Sequence, residues 1–107
     1  MKTFRQERLN SLIQEELNKI LIKELEFDGS LVTLTSVAVS KDLGFVTVGI
    51  SVIPSEKAEG ALKKLEKFKP RLQHLLYEKI KIHRSPKLIF KIDWGYEEAA
   101  KVEKSLM

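Results

Sequence analysis

Residues 61–91 read ALKKLEKFKPRLQHLLYEKIKIHRSPKLIFK, and two kinds of periodicity follow one another within them. Ala61, Leu62, Leu65 and Phe68 recur at three- and four-residue spacing, as do Leu72, Leu75, Leu76 and Ile80. That is the period of a helix with one apolar stripe. Between the two runs stands Lys69-Pro70. Proline has no backbone N–H and its ring meets the preceding turn, which costs about 3 kcal/mol inside a helix. At the first turn of a new helix it costs little. The spacing therefore predicts two helices, or one kinked helix, with the break at Phe68, Lys69 and Pro70. Whether Phe68 fills the core beneath that break is left open by the pattern. Ser85-Pro86 then holds the chain extended, and Leu88, Phe90, Ile92 and Trp94 alternate with Lys87, Ile89, Lys91 and Asp93. This is a strand, with Trp94 expected in the core beside Phe90 and Ile92.

Working outward, Leu9, Leu12, Ile13, Leu17, Ile20, Leu21 and Leu25 form the stripe of a first helix that starts at Thr3 and ends before Phe27-Asp28-Gly29-Ser30. Leu31 to Ser40 reads as a strand whose parity changes midway: Val32 and Leu34 share one face, Val37 and Val39 the other. A bulge near Thr35 reconciles them. Lys41-Asp42-Leu43-Gly44 is a hairpin connection, with Asp42 capping the turn, and Val46, Val48, Ile50 and Val52 alternate in the second strand. Pro54-Ser55-Glu56 stops it, Ser55 being the expected N-cap of the next helix. Glu97–Leu106 carries a weak terminal helix. The order is helix, strand, strand, helix, helix, strand, with that short C-terminal helix optional. Three strands covered on one face by helices make an α+β two-layer domain, a single unit over residues 1–107.

Charge is unevenly placed. Residues 57–91 hold eleven Lys/Arg and three Glu, a balance of +8, whereas the rest of the chain is at −4. A basic region of this kind favours a polyanionic partner. The chain has no cysteine and only two histidines, His74 and His83, so disulfides and thiolate chemistry are excluded. No carboxylate cluster has metal-ligand spacing, and no Gly-rich phosphate loop or nucleophile motif occurs. No enzyme activity, cofactor, metal or small-molecule substrate is expected. No segment approaches the ~20 apolar residues of a membrane span, and no signal-peptide core precedes the first helix, so a cytoplasmic location is expected.

The element order, with two short helices joined at a break, resembles a type II KH domain. Arg5 and Arg8 open the first helix; Thr33, Thr35 and Val37 lead into Ser40-Lys41-Asp42-Leu43; Pro86-x-Leu88-x-Phe90-x-x-Asp93 closes the third strand. Together these are similar to the ribosome-binding factor A family, over nearly the whole length from Arg5 to Asp93. Three features depart from the family pattern. Phe68-Lys69-Pro70 stands where relatives have a small-residue Ala-x-Gly break. His83-Arg84 stands where many have an arginine three residues before the strand's proline. The basic C-terminal tail of many members is not in this sequence. The GXXG loop of nucleic-acid-binding KH domains is also absent.

The resemblance implies binding to the small ribosomal subunit, late maturation of 16S rRNA near its 5′ end, departure before translation, and a link to cold adaptation. It would be a monomer held to folded RNA by phosphate contacts and shape. Lys63, Lys64, Lys67, Lys69 and Arg71 around the break are the first candidates for phosphate contact. Lys79, Lys81, His83, Arg84 and Lys87 form a second basic group, in which the stem of Lys79 is also placed to cover core, and Arg5 and Arg8 a third on the first helix. Tyr77 and Trp94 are the aromatics able to stack on bases. Two other readings remain open: a general KH-type RNA-binding module with a different RNA, and a protein-interaction module whose basic face docks an acidic protein.

Overall fold

α1 (Phe4–Glu24) turns Ile13, Leu17, Ile20 and Leu21 to one side, and all four are buried. The computed structural model describes residues 4–80 and 86–94. After α1, Leu25 continues the last turn by donating its N–H to the Leu21 carbonyl at 3.0 Å. Gly29 then takes a left-handed φ of +68°, which a residue with a Cβ adopts only under strain.

β1 (Leu31–Val39) and β2 (Phe45–Ile53) pair antiparallel, and β2 pairs parallel with β3 (Lys87–Ile92), so β2 is central and the order is β1-β2-β3. The register shifts between Leu34 and Ser36. This bulge is where the sequence parity changes, and it lets Leu34, Val37 and Val39 all be buried on one face. Rows of partners cross the sheet on that face: Val39, Val46 and Leu88; Val37, Val48 and Phe90; Leu34, Ile50 and Ile92. The hairpin is organised by one carboxylate oxygen. Asp42 Oδ1 accepts from Ser40 Oγ at 2.7 Å and from the Gly44 N–H at 3.0 Å.

The N-terminal cap of the next helix differs from expectation. Ser55 makes no side-chain capping bond; Pro54 occupies the cap position of a 3-10 turn (Ser55–Lys57), in which the Lys57 N–H donates to the Pro54 carbonyl at 3.0 Å. A backbone turn thus does what a serine hydroxyl was expected to do.

Of the two forms expected around Pro70, two helices or one helix carrying the proline, the single element is found: α2 runs from Ala58 to Ile80 with Pro70 inside it. The reason lies in what the two halves bury. Leu65 and Leu72, seven residues apart and so two turns along one face, are both 0% exposed, and Leu76 and Ala61 extend the same buried line. Burying each leucine contributes about 1.5–3 kcal/mol, so a break that withdrew Leu72 and Leu76 costs more than the proline. Pro70 itself is exposed. On that side the carbonyl that loses its partner faces water. Phe68, next to the expected break, is half-buried and packs against the margin of the core.

Trp94 is a second correction. It is 49% exposed, although its parity matches Phe90 and Ile92. The ladder ends with the Ile50–Ile92 pair and an Asp93 N–H donated to the Ile50 carbonyl at 2.6 Å. Beyond that bond no neighbouring strand enforces alternation. Thr3, residues 81–85 and the terminal helix expected at Glu97–Leu106 lie outside the described residues.

The edges of the sheet are closed by side chains from the helices. Asn10 Oδ1 accepts the Val39 N–H at 2.9 Å and Gln6 Nε2 reaches the Val39 carbonyl at 3.4 Å. On the opposite edge, Gln73 Oε1 accepts the Leu88 N–H at 2.8 Å.

Candidate nucleic-acid interface

With Ala61, Leu65, Leu72 and Leu76 buried, the 100° step of a helix fixes where the charged residues of α2 project. They do not form one patch. Lys64 and Arg71 lie on the side toward α1, Lys69 on the side toward β3, and Lys63 and Lys67 on the side facing away from the core.

The residues on the two flanks are occupied. Lys64 Nζ donates to the Glu26 carbonyl and stands 5.4 Å from the centre of the Phe27 ring. Arg71 places Nε and Nη2 each 3.4 Å from Glu24 Oε2. Both therefore tie α2 to the end of α1. The Arg71–Glu24 pair is solvent-exposed on its arginine side and contributes about 0–1 kcal/mol. Lys69 Nζ is 2.6 Å from Glu66 Oε2, one turn earlier, and 5.8 Å from the centre of the Phe90 ring.

Lys63 and Lys67 are exposed and make no ion pair among the described residues. They are four residues apart and so one helical turn apart, with Pro70 and His74 continuing the same face. Lys67 Nζ stands 5.9 Å from the ring of Phe68. Tyr77 is 41% exposed farther along the helix. Two ammonium groups without an ion pair on one helix face can neutralise two phosphates without first breaking a salt bridge within the protein.

The remaining candidates are elsewhere. Arg5 and Arg8 are exposed on the opening turns of α1, and Gln6 between them anchors that turn to Val39. Lys87 is exposed at the start of β3, where its N–H donates to the Gly44 carbonyl at 3.0 Å. These residues belong to the hairpin end of the molecule. Lys81, His83 and Arg84 lie outside the described residues. Nothing in the local pattern separates Lys64 and Arg71 from Lys63 and Lys67, because the partners that occupy the first two are 38 and 47 residues away. Reasoning from sequence also passed over Phe45, which is 46% exposed on the sheet. Its neighbours Val46 and Val48 marked the strand, and the parity that puts them inside puts Phe45 outside.

An open cleft of about 400 Å³ lies between the end of α1 and the start of α2. Glu26, Asp28, Glu56, Lys57 and Lys64 are among the residues that line it, and Lys57 Nζ donates to the Asp28 carbonyl at 3.3 Å. Its cations are already engaged, so it offers an anion little. Among the described residues no group of three or more His, Asp or Glu is placed to hold a metal ion. No described helix is long and apolar enough to cross a membrane.

Comparison with known proteins agrees with the fold. A ribosome-binding factor A of Chlorobium phaeobacteroides (strain DSM 266) is 37% identical over 107 residues, covering 97% of this chain and 92% of that one. That of Flavobacterium johnsoniae is 31% identical, over 99% of this chain and 85% of its own. The crystal structure of ribosome-binding factor A from Thermus thermophilus superposes with a TM-score of 0.71 at 25% identity, over 81% of this chain and 94% of that one. A homology model of the Thermus thermophilus factor, fitted into an electron cryo-microscopy map of its complex with the 30S subunit, matches at 26% identity with a TM-score of 0.67, over 78% of this chain and 90% of that one. The ribosome-binding factor A family pattern itself matches residues 5–106, all three strands and nearly all of α1 included. This chain belongs to the ribosome-binding factor A family.

Proposed function

We propose that this chain is an assembly factor of the small ribosomal subunit: it binds the 30S particle in the cytoplasm, assists late maturation of 16S rRNA near the 5′ end, and leaves before translation. The observation that carries the reading of the site is the pair Lys63 and Lys67, exposed one turn apart on α2 with no ion pair among the described residues. Family membership and the Thermus relative fitted in a 30S complex support the choice of partner. The protein acts as a rigid body. Phosphate contacts from α2 fix its position, and the shape of the folded RNA selects the place, so base identity is secondary.

The test is co-sedimentation with purified small subunits across a salt series. Wild-type association falls steeply as salt rises. Lys63→Glu with Lys67→Glu removes association at moderate salt while the far-ultraviolet dichroism is unchanged. Intact association of that double variant sinks the phosphate-contact reading. Accumulation of 16S rRNA with an unprocessed 5′ end in cells lacking the protein tests the maturation role, and normal processing there removes it.

A further inference from the structure

The helices use one face of the sheet, and the opposite face has a chemistry of its own. On β2, Phe45, Thr47, Gly49 and Ser51 alternate with the buried Val46, Val48, Ile50 and Val52. On β3, Lys87, Ile89 and Lys91 alternate with the buried Leu88 and Phe90. The parallel register sets Phe45 beside Lys87, Thr47 beside Ile89 and Gly49 beside Lys91. Phe45 is 46% exposed and Ile89 36%. No described helix lies over them.

Gly49 shows how the middle of this face is built. A Cβ there would lie 2.5 Å from Ser36 Oγ and 2.8 Å from Thr35 Oγ1. The bulge in β1 therefore folds two hydroxyls over bare backbone at the centre of the face. Lys87 and Lys91 are exposed and have no carboxylate partner among the described residues. They stand about 13 Å apart, at ~3.3 Å per strand residue. Of the nearby acids, Asp42 is turned into its hairpin, and Asp93 lies past the end of the ladder and is itself engaged.

Each feature selects among occupants. A half-exposed aromatic ring stacks on any base that is free of a duplex, and a neighbouring ammonium takes the attached phosphate. Duplex RNA hides its base faces and leaves Phe45 without a partner. A second copy laid face to face would set four lysines of like charge against one another. Hydroxyls at the centre suit ribose and phosphate oxygens. We propose that this outer sheet face, centred on Phe45 and Lys87, is a second RNA surface that takes a single-stranded segment, with a base on Phe45 and phosphates at Lys87 and Lys91. α2 carries Lys63 and Lys67 on the other layer, so the protein stands between two RNA segments. The proposal rests on the preceding section only for the class of nucleic acid, and its test needs no ribosomal subunit.

Fluorescence anisotropy of the full chain with a labelled oligouridylate, a labelled mixed-sequence strand and that strand annealed to its complement provides the test. Both single strands bind the wild type more tightly than the duplex. Phe45→Ala weakens single-strand binding about tenfold, and Phe45→Trp keeps it. Lys87→Glu with Lys91→Glu weakens it and flattens its salt dependence. Circular dichroism confirms that each variant is folded; Phe45→Trp, which keeps a large ring, answers the question if Phe45→Ala does not fold. A wild type, or a Phe45→Trp variant, that binds the duplex as tightly as the single strands overturns the proposal. So does single-strand affinity unchanged in Phe45→Ala. Loss of that affinity in Lys63→Glu with Lys67→Glu, with the sheet variants unaffected, also overturns it, and so does a dimer in sedimentation that Phe45→Ala dissolves. Single-strand binding that depends on Phe45, in a protein that fails to associate with subunits, supports this surface and refutes the ribosomal reading.

Discussion

Gln73 Oε1 accepts the Leu88 backbone N–H at 2.8 Å, so a side chain from the middle of α2 closes the free edge of β3. Asn10 does the same for β1 at Val39. Each edge of the sheet is thereby bonded by a carboxamide from the helix beside it. Leu88 is 1% exposed, and its N–H would otherwise be left with poor access to water.

Gln73→Ala is expected to destabilise the protein by about 1–2 kcal/mol, because an unpaired, poorly solvated N–H costs more than an average hydrogen bond contributes. Asn10→Ala has a similar effect. Urea unfolding gives the check: the midpoint falls while the slope with denaturant holds. A Gln73→Ala midpoint equal to wild type means that water replaces the carboxamide.

Pro70→Ala is expected to stabilise the protein by about 2 kcal/mol. Restoring a hydrogen bond and relieving the ring clash is worth about 3 kcal/mol inside a helix, offset by about 0.4–1 kcal/mol for the freer unfolded chain. Pro70 is exposed, so no core contact is lost. A lower melting temperature for the alanine variant shows that the proline sets a helix direction on which packing depends.

Leu72→Ala and Trp94→Ala should separate sharply. Leu72 is 0% exposed and its truncation costs about 2–5 kcal/mol. Trp94, half exposed beyond the strand, should lose less than about 1 kcal/mol. Comparable losses in thermal unfolding would return Trp94 to the core.

Charge removal on α2 should divide by position. Lys63→Ala and Lys67→Ala each lower the slope of log affinity against log salt by about 0.7–0.9 in small-subunit binding, with stability unchanged. Lys64→Ala, which frees the Glu26 carbonyl and uncovers Phe27, lowers stability and leaves that slope in place. A slope change from Lys64→Ala equal to that from Lys63→Ala means that Lys64 leaves its bond to reach RNA.

These outcomes bear on what a sequence makes legible. Features written in a local period were readable: the stripe of α1, the alternation of β2, and the parity change that marks the bulge at Thr35. Pro70 left two forms open because a local penalty was weighed without the leucines it separates. Leu65 and Leu72 share one buried face, and their joint burial depends on the sheet beneath them. Trp94 misled because parity says nothing about where a ladder stops. The site was legible as a count of cations and illegible as a surface, since Glu24 and Glu26 reach Arg71 and Lys64 only through the contact of α1 with α2.

The parallel pairing of β2 with β3 fixes when the protein can become itself during synthesis. β2 is complete at Ile53, but its second partner is Lys87–Ile92, separated from it by the whole of α2. Until then, Val46 and Val48 lack Leu88 and Phe90 in their rows, and one side of the central strand has no neighbour. The strand therefore stays open while residues 54–92 are added, and the native sheet closes only after residue 92 has emerged.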